Sequence, residues 1–333
     1  MSHTFSITPK LQINFIEEHY QFCRKFYTQG VAGNWVPGSI SLAEDREMWK
    51  FKIGTAEKEQ LQNMVAFFSG SENVVQANIM TSLASAIPVQ SARTYLSRQT
   101  FEEANHDDTF TYIIKELELD EEDILDRQIR IKSIGKKKAF DEFYTEELIK
   151  RNAQYTANPT DETIQAFFEA LVKNLVAYYA VLEGIYFFSG FVIGINFQKK
   201  QLLPKTGELI KYIMADEARH LTCGMQLATT IMKDNAHLIT PTFRDELVQI
   251  IKEGVEIEKE YAVEAVGDSI ITRADNYISY VESIADKRLA YLGLPKQYFS
   301  KVNAMKHLIT QNDAPEMTNF FETESVMYEK SVA

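Results

Sequence analysis

Apolar positions recur at helical spacing over long stretches of the chain, and no segment sustains the alternate-residue pattern of a strand. The pattern predicts an all-α protein without a sheet. One helix is predicted from about 55 to 86, and Pro88 ends it, because the residue before a proline is pushed out of helical space. Others follow at about 90–117 and 121–153. Asn158-Pro159-Thr160-Asp161 is a turn and cap signal, and a helix then runs to about 200. Pro204 and Gly207 separate it from a helix at about 208–234. Thr240-Pro241 opens one at about 241–267, and the last, about 271–292, is closed by Gly293 and Pro295. Residues 1–50 are mixed, broken by Gly30, Gly33, Pro37 and Gly38, and are read as an N-terminal arm with the first helices. Residues 51–310 are read as the helical bundle. Residues 311–333 are mostly polar and read as a flexible tail with sparse apolar anchors.

The stretch Leu175–Phe197 is almost wholly apolar and long enough to span a bilayer. It carries Glu183 in its middle and lacks flanking anchors. A helix apolar on all sides is also what the centre of a large bundle requires, so a buried core helix is expected and no membrane span. With 333 residues, 45% of them hydrophobic, the chain can build such a core. Eight prolines and fourteen glycines suit long helices better than a turn-rich fold. A net charge of −12 argues against nucleic acid, whose phosphates need a basic face. Two cysteines, Cys23 and Cys223, make no disulfide framework. Met1 to Lys10 lacks the basic start and apolar run of a signal peptide. A reducing cytoplasm is the expected compartment.

The candidate chemistry lies in a repeated pattern. Glu103-Ala104-Asn105-His106 and Glu217-Ala218-Arg219-His220 are two copies of Glu-x-x-His. Each follows a lone glutamate, Glu72 by 31 residues and Glu183 by 34. Residues three apart share a helix face, so each Glu/His pair can reach one ion. Glu183 inside an apolar helix would cost several kcal/mol unless compensated, and metal coordination compensates it. Four carboxylates and two imidazoles from four helices are the ligand set of a two-metal site in a bundle core. Oxygen-rich ligation with one nitrogen per metal suits iron or manganese. Cys223, one turn beyond His220, is read as a small buried apolar residue rather than a ligand.

The segments Phe67-Phe68-Ser69-Gly70-Ser71-Glu72, Phe101-Glu102-Glu103-Ala104-Asn105-His106, Leu182-Glu183-Gly184-Ile185-Tyr186-Phe187 and Asp216-Glu217-Ala218-Arg219-His220 resemble the ligand segments of the class I ribonucleotide reductase small (β, radical-generating) subunit. The resemblance runs from about Trp35 to the tail. It implies a ferritin-like helical bundle, a homodimer, and a large (α) subunit as the partner that reduces ribonucleotides. Two positions depart from the commonest form. The first ligand is Glu72 where that family usually has Asp, and Phe110 stands where it usually has the radical-storing tyrosine. A phenyl ring has no O–H to lose, so the oxidising equivalent has to reside on the metals. The pairing is similar to the class Ic subgroup, which implies a manganese–iron cofactor; Mn/Mn is the nearest rival and Fe/Fe is possible.

The resemblance also implies an electron path. Trp35 resembles the relay tryptophan near the site, and Asp216 is placed to hold a hydrogen bond between it and His106. Tyr328 resembles the tail tyrosine that passes the radical to the partner. Tyr212 is a further oxidisable group near the second ligand helix, and Trp49 is given a structural role. The tail, with Asn319-Phe320-Phe321-Glu322 and Val326-Met327-Tyr328, is expected to dock into the large subunit. Two other readings compete: a ligand-binding Mn/Fe oxidase of the same superfamily, and ferritin-type metal storage. Trp35 with the tail argues against the oxidase, and the length of the chain with the docking tail argues against storage.

Overall fold

The computed structural model describes residues 11–299, and these form a helical bundle. Its elements are α1 (Phe22–Ala32), α2 (Ala43–Phe51), α3 (Thr55–Asn78), α4 (Ala84–Ala86), α5 (Gln90–Glu116), α6 (Glu121–Arg130), α7 (Lys132–Ala157), α8 (Asp161–Leu175), α9 (Phe188–Lys199), α10 (Pro204–Asp234), α11 (Pro241–Tyr261) and α12 (Ala274–Tyr291). Among the described residues the one extended pairing is an isolated bridge between Asp268 and Arg273. Helix α3 packs against α5, and α10 against α9, while α1 lies across both α5 and α10. Residues 300–333, including Tyr328 and the rest of the expected tail, lie outside the described residues.

The helix ends follow local chemistry in part. Asp120 caps α6 by accepting from the amides of Glu122 and Asp123 at 3.0 and 3.3 Å. Thr160 caps α8 through Thr163 N, and Thr240 caps α11 through Phe243 N. Three other helices are capped from far away. Glu17 accepts from the amides of Gln90 and Ser91 at the head of α5. Asp45 accepts from those of Lys205 and Thr206 at the head of α10. Glu264 accepts from those of Lys132 and Ser133 at the head of α7, both at 2.9 Å. This last cap corrects the single helix expected over 121–153. The chain breaks at Ile131, which is extended, because a carboxylate from the π turn that follows α11 satisfies the new amides. The cap at Asp45 likewise lets α10 begin at Pro204, earlier than its apolar pattern suggests.

The long apolar segment is continuous from Asp161 to Lys199. It has the length and composition to cross a membrane, but its most apolar window is wholly buried inside the bundle. Its middle, Val176–Phe187, widens to the π form, a distortion that recurs at functional sites. Gly184 in this stretch gives its carbonyl to Arg288 Nε at 3.1 Å.

Beside it sits a second buried polar group. Lys137 is 1% exposed, and its Nζ lies 3.9 Å from the Phe67 ring centroid, 3.8 Å from that of Tyr261 and 2.5 Å from Glu258 Oε2. The other Glu258 oxygen accepts from Ser189 Oγ at 2.7 Å and Tyr277 OH at 2.6 Å. Burial holds the Lys137 ammonium below its ordinary value, opposed by Glu258. Glu258→Ala leaves that ammonium buried without its counter-ion. It is expected to cost about 3–5 kcal/mol, read as a lower denaturation midpoint. A paired Lys137→Met, Glu258→Leu chain is expected to recover most of the loss.

Candidate dinuclear metal centre

Four elements deliver six side chains to one point. Glu72 comes from α3, Glu103 and His106 from α5, Glu183 from the π segment, and Glu217 and His220 from α10. All six are fully buried. They form two overlapping groups, Glu72–Glu103–His106–Glu217 and Glu103–Glu183–Glu217–His220, with the donor atoms of each within 4.8 Å of one another. Glu103 and Glu217 belong to both groups, so these two would be shared by a pair of ions, whereas Glu72 and Glu183 each belong to one group.

Each imidazole turns Nδ1 inward. His106 Nδ1 lies 3.0 Å from Glu217 and 3.4 Å from Glu103; His220 Nδ1 lies 3.0 Å from Glu103 and 3.4 Å from Glu217. These contacts are close but not aligned as hydrogen bonds. Both oxygens of Glu72 and of Glu217, one each of Glu103 and Glu183, and both Nδ1 atoms have no hydrogen-bond partner. Native interiors do not usually leave so many polar atoms unsatisfied together. Two dications would satisfy them and balance four buried carboxylates, so the donor set fits a dinuclear centre.

Protonation tells the same story. Burial, with the neighbouring carboxylates, pushes Glu72 and Glu183 well above the usual carboxylate range. Burial opposes a charge on His106 and His220, but the surrounding carboxylates overcome it and raise both well above 6.5. Burial also opposes the Glu103 charge, and the two imidazoles hold that carboxyl low. The raised carboxyls and imidazoles favour protons on the metal-free cluster, and metal binding would compete with them.

The outward nitrogens are held in a crossed arrangement. His106 of α5 points Nε2 at Asp216 of α10, at 3.2 Å; His220 of α10 points Nε2 at Glu102 of α5, at 2.9 Å. Each acid immediately precedes the glutamate of the opposite motif. Such outer carboxylates fix the ring and the tautomer of a ligating histidine. Burial works against the Glu102 charge, yet the His220 hydrogen bond, Arg219 and Arg98 together keep its carboxyl low. Arg219 also hydrogen-bonds Asp216.

Glu102 has no role in the sequence reading, although Glu-Glu-x-x-His and Asp-Glu-x-x-His share an acid at the same place. Gln99 also lacked a signal. It donates to Glu183 at 2.8 Å and to Glu103 at 3.1 Å, and accepts from Tyr179 OH at 2.9 Å.

The expected path residues fall on the His106 side. Trp35 Nε1 donates to Asp216 Oδ2 at 2.7 Å, the same oxygen that meets His106. The Trp35 and His106 rings stack with centroids 6.2 Å apart, and Tyr212 lies 5.5 Å from Trp35. Phe110 is fully buried one turn beyond His106 and stacks on Phe68 at 4.8 Å, which stacks in turn on Phe191 at 4.9 Å. Cys223 belongs to neither ligand group, and its Sγ lies 3.9 Å from that of Cys23. Trp49 is buried, with the Lys58 ammonium 5.2 Å from its ring centroid.

Comparison with known proteins gives concordant matches. Residues 12–304 match the family described as "Ribonucleotide reductase, small chain". The "Ribonucleoside-diphosphate reductase subunit beta" of Chlamydia pneumoniae is 34% identical over 312 residues, 93% of this chain and 88% of that protein. A crystal structure of a putative class I ribonucleotide reductase from Bacillus halodurans superposes with a TM-score of 0.75 at 21% identity, covering 87% of this chain and 99% of that one. An R2-like ligand-binding oxidase variant with a reconstituted Mn/Fe cofactor gives a TM-score of 0.59 at 18% identity, covering 83% and 94%. The fold is the ferritin-like helical bundle these structures share.

Proposed function

The chain belongs to the ribonucleotide reductase small-chain family, and from that premise we propose that it generates and stores, on a manganese–iron pair, the oxidising equivalent that starts ribonucleotide reduction in the large subunit. The observation that carries this reading is the pair of overlapping ligand groups, rich in unsatisfied buried donor atoms, combined with Phe110 next to them. Glu72, Glu103, His106, Glu183, Glu217 and His220 would hold the metals, with Glu103 and Glu217 shared. Bound there, the pair would supply one-electron couples and the means to reduce dioxygen. The phenyl stack of Phe110, Phe68 and Phe191 offers no phenol to oxidise, which supports storage on metal.

The proposed path runs through the protein's own groups. With Nδ1 of His106 facing the cluster, the ring proton sits on Nε2 and points at Asp216 Oδ2. The Trp35 N–H points at the same oxygen. An indole that gives up an electron becomes a strong N–H acid, and Asp216, 2.7 Å away, is placed to take the proton and return it. Tyr212 extends this route by one ring. We place Tyr328 at its far end, with residues 311–333 docking to the large subunit. We further propose a homodimer in a reducing cytoplasm.

Elemental analysis after aerobic loading with both metals tests the reading. About one manganese and one iron per chain is the expected result. Two manganese and almost no iron would move the chain to the dimanganese type, and little of either would overturn the site. Deoxyribonucleotide formation only when the large subunit is added separates this function from a free-standing ligand-binding oxidase.

A further inference from the structure

We propose that Cys23 and Cys223 are a buried redox pair that drains surplus oxidising equivalents from the carboxylate–histidine cluster by closing to a disulfide. The proposal rests on the function inferred above and adds a second exit from the same centre.

The two thiols are 200 residues apart in sequence and meet where α1 crosses α10. Both side chains are fully buried, and the sulfurs are 3.9 Å apart. A disulfide needs about 2.05 Å, so closure asks for an approach of about 2 Å between two helices already in contact. Gln99 links the pair to the cluster. It bonds Glu183 and Glu103 with its amide nitrogen and receives Tyr179 OH on its oxygen. The Tyr179 ring lies against Gly224, where a side chain would collide with it, and Cys223 is the adjacent residue. Tyr179 is within electrostatic range of both thiols. Tyr95 lies within electrostatic range of both Cys223 and Glu102, and its buried hydroxyl has no hydrogen-bond partner. Beyond Cys23, Tyr20 donates to Asp234, which also holds the half-exposed His19 at 2.7 Å.

Tyr179, Tyr95 and the two thiols therefore place oxidisable groups on the Glu183–His220 side, reached from the cluster through the Gln99 amide. The Trp35 route leaves on the His106 side, so the two do not share a residue. Buried thiols are shielded from bulk oxidants and from exchange with small disulfides. Electrons can still pass between packed side chains. The oxidant such a pair meets is therefore one reduced at the cluster, and dioxygen is the chemical class. Dioxygen takes four electrons and four protons to become two waters. Two electrons come from the reduced metal pair. Two more electrons and two protons come from the thiols as their S–H bonds break and one S–S bond forms. The remaining two protons come from solvent. The drain matters when no large subunit is docked to receive the oxidising equivalent.

The test uses the full chain loaded anaerobically with manganese and iron, then exposed to air without large subunit or reductant. Peptide mass spectrometry reads the Cys23–Cys223 link. Thiol titration in denaturant counts free thiols, and metal content and visible absorption are read on the same sample. Free thiols are expected to fall from two per chain toward none, while a metal-free control keeps both. Tyr179→Phe, which keeps the ring, is expected to slow the loss several-fold at equal metal content. Cys223→Ser is expected to leave Cys23 a free thiol. Oxidised metals beside two intact thiols would overturn the redox pair and leave the proposed function standing. Equal disulfide formation in the metal-free control would overturn the coupling to the cluster. Failure to take up metal would overturn the proposed function, and the redox pair with it.

Discussion

A Glu183→Leu chain is expected to melt higher than the natural chain when both are metal-free, yet to lose ribonucleotide reduction by about a thousandfold or more. Glu183 is fully buried in an apolar helix, and one of its oxygens has no hydrogen-bond partner. Burial and the carboxylates of Glu217 and Glu103 keep it protonated well above the ordinary range. Leucine has a similar volume and no polar atom to satisfy. Replacing a buried ionisable group by a packed apolar one contributes about 1–4 kcal/mol, or roughly 1–6 °C in a chain of this size. Calorimetry on chelator-treated protein checks the first half. Metal analysis and the coupled assay with the large subunit check the second, and no more than one metal per chain is expected. A lower melting temperature for the variant would show that Glu183 stabilises the fold without metal, contrary to the argument.

The pH dependence of the metal-free natural chain should point the same way. His106 and His220 have raised values in the folded state. The stability they contribute is complete below 6.5, the ordinary histidine value, and is lost as pH rises through their folded values. Glu72 and Glu183, raised from 4.5, act in the same sense. Glu102 and Glu103 are held low, so their contribution is present above 4.5 and disappears only in acid. The metal-free melting temperature should therefore fall as pH rises above 6.5. Metal displaces the same protons, so its affinity rises with pH and the gap between loaded and metal-free protein should widen.

Much of this centre could be read before any coordinates, because its chemistry forces a pattern. A histidine and a glutamate serving one ion from one helix must sit three apart, and a second ion demands a second copy. That is why Glu103/His106 and Glu217/His220 stood out. The outer carboxylates obey no such local rule. Asp216, expected only through the family resemblance, and Glu102, not expected at all, act across to the opposite helix, so their partners are 110 and 118 residues away. Gln99, one turn before Glu103, looks like any polar helical residue until Tyr179 and Glu183 are packed around it. The break at Ile131 depends on Glu264, which caps Lys132 from 132 residues on. The meeting of Cys23 with Cys223 depends on α1 crossing α10. Apolar composition predicts burial of the segment around Glu183, but it carries no signal for the π form of Val176–Phe187. In each case the deciding contact is long-range, and sequence periodicity reports only near neighbours.

Trp35→Phe should separate the storage of the oxidant from its delivery. Phenylalanine can retain the stacking against His106 and the packing beside Tyr212. It loses the indole N–H that binds Asp216 at 2.7 Å, and it cannot be oxidised at a comparable potential. The six cluster residues are untouched, so manganese and iron content should match the natural chain. Ribonucleotide reduction with the large subunit should fall by about two to three orders of magnitude, or about 3–4 kcal/mol in the barrier. Asp216→Asn distinguishes the proton from the electron. The amide keeps the size of the carboxylate but is a poor acceptor for the proton that an oxidised indole releases. It also weakens the hold on His106 Nε2, so metal affinity should drop about 10–100-fold. Activity should fall even when excess metal restores full loading. If Trp35→Phe left the coupled activity unchanged at full metal content, delivery would have to run through another side chain, and the row from Gln99 through Tyr179 to Cys223 would be the next to test.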